Sequence, residues 1–249
     1  MTPVLFWDID GTLLTTDRAG MYAWNDSVKE LTGHDFDLKT AIRTAGFTDH
    51  QIAVKTFEVL GLGSQPEAIA RLVRRYEELL PASLPRRKGR VLDNVREILE
   101  HLGRERPRVR SYLLTGNTLA GARAKLTYYD LAQFFPDGAF CEDAGERAGI
   151  ARRALALART AGDVPEEAVF VIGDTPHDID CARAIGARTI AVATGGYSLE
   201  ELVSHRPWRA FETLPPPLEF VRMIDAAGFD STGAEPGRPV AARDGQSRA

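Results

Sequence analysis

The chain has 249 residues, 44% hydrophobic and 27% charged, with 31 basic against 35 acidic side chains and a net charge of -4. That length allows a substantial core with a smaller inserted unit, and the near balance of charge offers no surface suited to nucleic acid or an anionic membrane. No run approaches the ~18 apolar residues of a membrane span, no leader-like segment precedes the first strand, and Cys141 and Cys181 are too few for a disulfide framework, so a cytoplasmic protein is expected.

Val4 to Trp7 is a short apolar run rich in β-formers that halts near Gly11, which predicts a buried parallel strand delivering Asp8 and Asp10 to its carboxyl end. Two oxygen donors at such a turn suit a hard cation such as Mg²⁺. Met21 to Leu31 has helical apolar spacing and stops at Gly33. The pattern stays helical through residues 17–87, with further helices over His50 to Leu60 and Pro66 to Leu80, and Pro81, Pro85 and the basic run to Gly89 are expected to form the return hinge. Within this insert, Thr48 or Asp49 can cap the helix that follows.

Asp93 to Leu102 predicts an amphipathic helix, and Arg110 to Leu114 a strand that ends in Thr115-Gly116-Asn117-Thr118. A helix over Leu119 to Tyr128 would aim its first N–H groups, with the Thr115 hydroxyl, at an anion; a plain turn capped by Thr118 is the competing reading. After a helix over Ile150 to Leu157, Val169 to Gly173 is another buried strand, ending in Asp174, with Asp178 in the first turn of the next helix. Asp180 falls on another side of that helix, and His177 reads as an exposed turn residue. Thr189 to Ala193 is a further strand, Arg209 to Phe211 an edge strand, and residues 230–249, rich in Gly, Pro, Arg and Ser, are expected to be a disordered tail. This alternation predicts an α/β fold: a Rossmann-like parallel sheet core with helices on both faces (1–16 and 88–229) and an inserted helical domain (17–87).

In order along the chain, Asp8-Ile-Asp10-Gly11-Thr12, the Thr115 turn and Gly173-Asp174-x-x-x-Asp178 resemble the first, second and fourth motifs of the haloacid dehalogenase-like hydrolases. The helical insert resembles that superfamily's type-one cap, and Gly46-Phe-Thr48-Asp49 is similar to the cap loop of phosphoglycolate-phosphatase-like and β-phosphoglucomutase-like members, where it reaches the substrate. The resemblance implies a Mg²⁺-dependent phosphatase that hydrolyses a small phosphorylated metabolite through an aspartyl-phosphate. Asp8 would be the nucleophile and Asp10 the acid/base, with Thr115, Gly116 and Asn117 at the phosphate and Gly11 and Thr48 against the substrate. Asp8, Asp10, Asp174 and Asp178 would surround the metal. Two residues compete for the third-motif cation: Lys125, taken as the one facing the phosphate, and Arg147, taken as a contact of the site or its acidic neighbours. The presence of Asp10 argues against dehalogenation. A phosphomutase of the β-phosphoglucomutase type shares every core motif and is the nearest rival, while a non-catalytic binding member would ordinarily have lost a motif carboxylate. The motifs fix neither the natural substrate nor the oligomeric state.

Overall fold

The computed structural model describes residues 2–143 and 145–227, so the tail expected over 230–249 lies outside the described residues. The first strand, β1 (Val4–Trp7), is buried along its whole length, as four consecutive apolar residues require of a strand covered on both faces. After a turn and the two-residue β2 (Leu14–Thr15), the chain departs through α1 (Ala19–Thr32), α2 (Leu38–Ala41), α3 (Asp49–Val59) and α4 (Pro66–Ser83), and returns at β3 (Arg90–Val91). β3 pairs antiparallel with β2, Leu14 opposite Val91, which clips the departing and returning legs of the helical excursion together. The chain then alternates α5 (Val95–Glu105), β4 (Arg110–Leu114), α6 (Leu119–Tyr128), β5 (Gly138–Ala139), α7 (Arg147–Thr160), β6 (Val169–Gly173), α8 (Pro176–Ala184), β7 (Arg188–Val192), α9 (Leu199–Ser204), β8 (Arg209–Phe211) and α10 (Pro217–Ala226).

Six strands make one parallel sheet in the order β5-β4-β1-β6-β7-β8. β1 therefore lies where the winding reverses, the place at which open α/β sheets gather ligands beyond their strand ends. Trp7 pairs with Leu113 on one side and Ile172 on the other, so the chain leaves the sheet at three adjacent points, into Asp8, Thr115 and Asp174. Alternate residues of β1 feed opposite layers: Leu5 and Trp7 pack with α5 and α10, while Val4 and Phe6 pack with Ala151, Ala154 and Ala158 of α7. In the excursion, α1 lies along α4, with the Trp24 and Tyr76 rings 5.0 Å apart.

Pro81 lies inside α4 rather than in the return hinge. A proline in a helix forfeits one backbone hydrogen bond, and burial offsets the loss here. Leu80 and Leu84 are wholly buried, and Ser83 Oγ donates to the Ala19 carbonyl at 2.7 Å, fastening the last turn to α1. The return begins only at the 3-10 turn Leu84–Arg86. Among the described residues no helix is long and apolar enough to cross a membrane.

Candidate active site

Three buried carboxylates meet above the switch point. Asp8 follows the last residue of β1, Asp174 follows β6, and Asp178 looks back from the first turn of α8; each offers an oxygen within 4.8 Å of the other two. Asp178 is held by a reciprocal cap, since Thr175 N and Oγ1 donate to its Oδ2 at 3.0 and 2.7 Å while its own N–H donates to Thr175 Oγ1 at 3.3 Å. Thr12 Oγ1 donates to Asp174 Oδ1 at 3.2 Å. Two glycines make room for Asp174: a Cβ on Gly195 would stand 1.7 Å from its Oδ2, and one on Gly11, whose φ is +82°, would stand 2.4 Å away.

Burial, and then the neighbouring Asp178, push the Asp8 carboxyl up to about 7, with Arg147 pulling the other way. Burial followed by Asp178 and Asp8 likewise holds Asp174 well above the usual carboxylate range. Crowded, desolvated carboxylates of this kind gain from a hard cation. Oxygens bound to Mg²⁺ at about 2.1 Å lie roughly 3–4 Å from one another, and with their oxygens within 4.8 Å Asp8, Asp174 and Asp178 form a group that could hold one such ion.

The Asp10 carboxylate stands apart from this group. Its Oδ2 accepts from Lys125 Nζ at 2.5 Å and from Asn117 Nδ2 at 2.8 Å, and Lys125 also donates to Asn117 Oδ1 at 2.6 Å. Asn117 Nδ2 reaches the Thr115 hydroxyl at 2.8 Å as well, so Asp10, Lys125, Asn117 and Thr115 form one chain of hydrogen bonds. Burial alone would weaken the Lys125 charge, yet Asp10, Tyr76 and Asp49 together more than reverse this and hold the ammonium above its ordinary range.

Arg147 serves the other carboxylates. As the first residue of α7, it places Nη2 2.5 Å from Asp178 Oδ1 and 3.7 Å from Asp8 Oδ1, and Nη1 donates to the Gly46 carbonyl at 3.3 Å. Gly116 lies directly under the excursion, where a Cβ would meet the Phe47 carbonyl at 2.9 Å. Thr48 is buried as the N-cap of α3, exchanging hydrogen bonds with Gln51 at 3.2 and 3.1 Å. Thr44, Ala45, Gly46 and Phe47 before Thr48 and Asp49 after it line the cavity of about 400 Å³ between the sheet and the excursion.

For Asp49 the sequence offered helix capping or, by resemblance, a place in a loop that reaches the substrate, and not a tie to α6. Its N–H donates to the Gly116 carbonyl at 2.9 Å and its Oδ2 accepts from Thr118 N at 2.9 Å, so it ties the excursion to the start of α6. An acidic residue in the Gly-x-Thr-Asp loop was the available signal. Thr12 and the Thr194-Gly195 turn were given no role of their own, because each acts through a neighbour brought close only by folding: Thr12 and Gly195 through Asp174, and Thr194 by donating to the Gly11 carbonyl at 2.5 Å. His177 is part of α8 and half-buried, not an exposed turn residue: its ring packs against Phe47 with centroids 6.0 Å apart. Asp180 points outward to Arg183 at 2.9 Å.

The profile of the haloacid dehalogenase-like hydrolases matches residues 4–192, a span that contains every carboxylate described above. The chain belongs to that family, and is therefore a hydrolase by descent. A curated relative from Dickeya dadantii, named "Probable phosphatase IndB", is 28% identical over 215 residues, covering 83% of this chain and 88% of that protein. Two solved structures share the fold. A family IA, variant 3 hydrolase of Entamoeba histolytica is 20% identical, with a TM-score of 0.69 over 90% of this chain and 100% of that one. CbbY of Rhodobacter sphaeroides, solved with phosphate, is 20% identical, with a TM-score of 0.64 over 79% and 88%.

Proposed function

We propose that this protein is a Mg²⁺-dependent phosphomonoester hydrolase that works through an aspartyl-phosphate on Asp8. The observation that carries the reading is the division of two carboxylates only one residue apart: Asp8 sits in the buried acidic cluster, and Asp10 is turned onto Lys125 and Asn117. Separate environments give like groups separate roles. The phosphatase name of the Dickeya relative and phosphate-bound CbbY agree with it.

Bound Mg²⁺, held by Asp8, Asp174 and Asp178 with the Asp10 carbonyl as a further candidate donor, would supply Lewis-acid compensation for the phosphoryl charge. An Asp8 oxygen attacks phosphorus and the bond to the ester oxygen breaks. Asp10 gives its proton to that leaving oxygen, then takes one from the water that attacks the aspartyl-phosphate, releasing inorganic phosphate and restoring Asp8. Lys125 and Asn117 orient Asp10, and Arg147 and the Thr115 hydroxyl offset charge beside Asp8. The helices of residues 17–87 act as a type-one cap on a core of 1–16 and 88–229, with Asp49 and Gly46 as points of closure. Thr48 works by fixing this loop. The natural substrate is a small phosphorylated metabolite, and the site of action is the cytoplasm.

The test is phosphate release from a panel of phosphate esters, with and without Mg²⁺. Activity that requires Mg²⁺ and disappears in Asp8→Asn is expected, and no release from any ester would overturn the proposal. Free phosphate as the final product, rather than an isomerised sugar phosphate, separates hydrolase from mutase.

A further inference from the structure

The two walls of the cavity differ in kind. Its floor is the polar end of the sheet, while its roof is mostly apolar: Met21 and Trp24 of α1, Leu38 of α2, Phe47, Ile52 of α3 and the Tyr76 ring of α4 line it, with Thr44 and Asp49 as polar exceptions. The polar edge of Trp24 is already used, because Nε1 donates to Thr56 Oγ1 at 3.0 Å, and its ring packs on Tyr76. What the indole offers a ligand is apolar surface.

The cations tell the same story. Three line the cavity: Arg18, Lys125 and Arg147. Lys125 is engaged by Asp10 and Asn117, and Arg147 by Asp178 and the Gly46 carbonyl, so both are already paired within the protein. Arg18 is exposed, at the start of α1, and so belongs to the mouth. A carboxylate or second phosphate on the leaving group would therefore find both buried cations already paired, and would lie beside the carboxylates of Asp10 and Asp49. A cavity of about 400 Å³ is within the range that encloses small organic ligands and leaves room for more than a two-carbon acid.

On the phosphatase reading above, we infer that the substrate is a phosphomonoester whose leaving group is uncharged and largely apolar, selected by the carbon roof against esters that carry a carboxylate. Phosphoglycolate is thus a poor substrate despite the resemblance of the fold to enzymes of that name. The reaction itself is unchanged; selectivity arises in burial of the departing alcohol.

Benzyl phosphate and 2-phosphoglycolate test this, both being esters of primary alcohols that differ in what the roof must cover. The wild-type protein with Mg²⁺ should show kcat/KM for benzyl phosphate on the order of 100-fold above that for 2-phosphoglycolate. Met21→Lys, at a half-buried roof position, should shift the ratio at least ~10-fold toward 2-phosphoglycolate by giving its carboxylate a partner, and Ile52→Lys on another helix should shift it the same way. Equal turnover of the two esters would overturn the inference while leaving the phosphatase reading intact. So would a preference for 2-phosphoglycolate that is lost in Arg18→Ala, which would make the mouth cation the selector. Release from neither ester, nor from an aryl phosphate, would overturn the phosphatase reading itself and this inference with it.

Discussion

Replacing Arg147 with Met keeps a stem of similar shape and removes the guanidinium that stands among Asp8, Asp174 and Asp178. Arg147 and Asp178 are both buried, 8% and 0% exposed, and their 2.5 Å contact is shielded from water. Breaking a buried pair from one side strands the other charge and costs about 3–5 kcal/mol. The contact with Asp8 at 3.7 Å adds a smaller share, and protonation of the raised carboxyls gives part of the loss back, so we take the lower end, about 3 kcal/mol. For a chain of this size that corresponds to a fall in Tm of roughly 6–12 °C. The assay is a thermal melt of wild type and Arg147→Met in EDTA at pH 8 and pH 5.5, repeated with Mg²⁺. The deficit should be largest in EDTA at pH 8, smaller at pH 5.5 where the carboxyls can hold protons, and partly restored by the ion. A difference under about 2 °C at pH 8, or a deficit that grows on acidification, would refute the electrostatic account of the cluster.

Metal affinity should follow pH through the same groups. Asp8 is raised from 3.8 to about 7, so between these values the metal-free folded state keeps a proton that the unfolded chain has lost, and stability falls as pH rises through that window. Mg²⁺ needs the ionised carboxylates, so calorimetric titration should find tighter binding at pH 8 than at pH 5.5; an unchanged affinity would count against it. Lys125→Met should lower kcat by ~100-fold or more with little change in KM, since it unseats Asp10 and leaves the acidic cluster alone; steady-state kinetics showing the reverse split would make Lys125 a binding cation. Gly195→Ala drives a methyl into Asp174 and should weaken Mg²⁺ binding at least ~10-fold with the fold retained, as read by titration and circular dichroism. Asp49→Ala removes a cap that reaches α6 from another helix, costing about 1 kcal/mol and raising KM more than it lowers kcat.

The parts of the fold readable in the sequence are those with strong local signals. β1 and β6 are buried on both faces, so they appear as unbroken apolar runs, and the carboxylates that follow them are placed by the chain itself. α2, β5 and the β2–β3 clip have four residues or fewer, too few to show a period, and exist because of what they pack against or pair with. Pro81 misled because a breaker's local cost was weighed without the burial of Leu80 and Leu84 on either side. At the site, the sequence brought Lys125 and Arg147 forward as rivals for one post. Folding gives them different partners, Asp10 for one and Asp178 with Asp8 for the other, because α6 and α7 approach the strand ends from different directions, which spacing does not encode. Likewise, the motif resemblance separates Asp8 from Asp10 by role, but the different surroundings of the two carboxylates arise only when β4 and β6 close on either side of β1.

The central claim is that Asp8, and not Asp10, carries the phosphoryl group. Acid-quenching the enzyme during turnover of an aryl phosphate with Mg²⁺, reducing any acyl phosphate with borohydride, and sequencing the peptides by mass spectrometry tests it directly. The account predicts conversion of residue 8 to homoserine, dependent on substrate and Mg²⁺ and absent from Asp8→Asn. Homoserine at position 10, or an unmodified Asp8 while phosphate is being released, would contradict it.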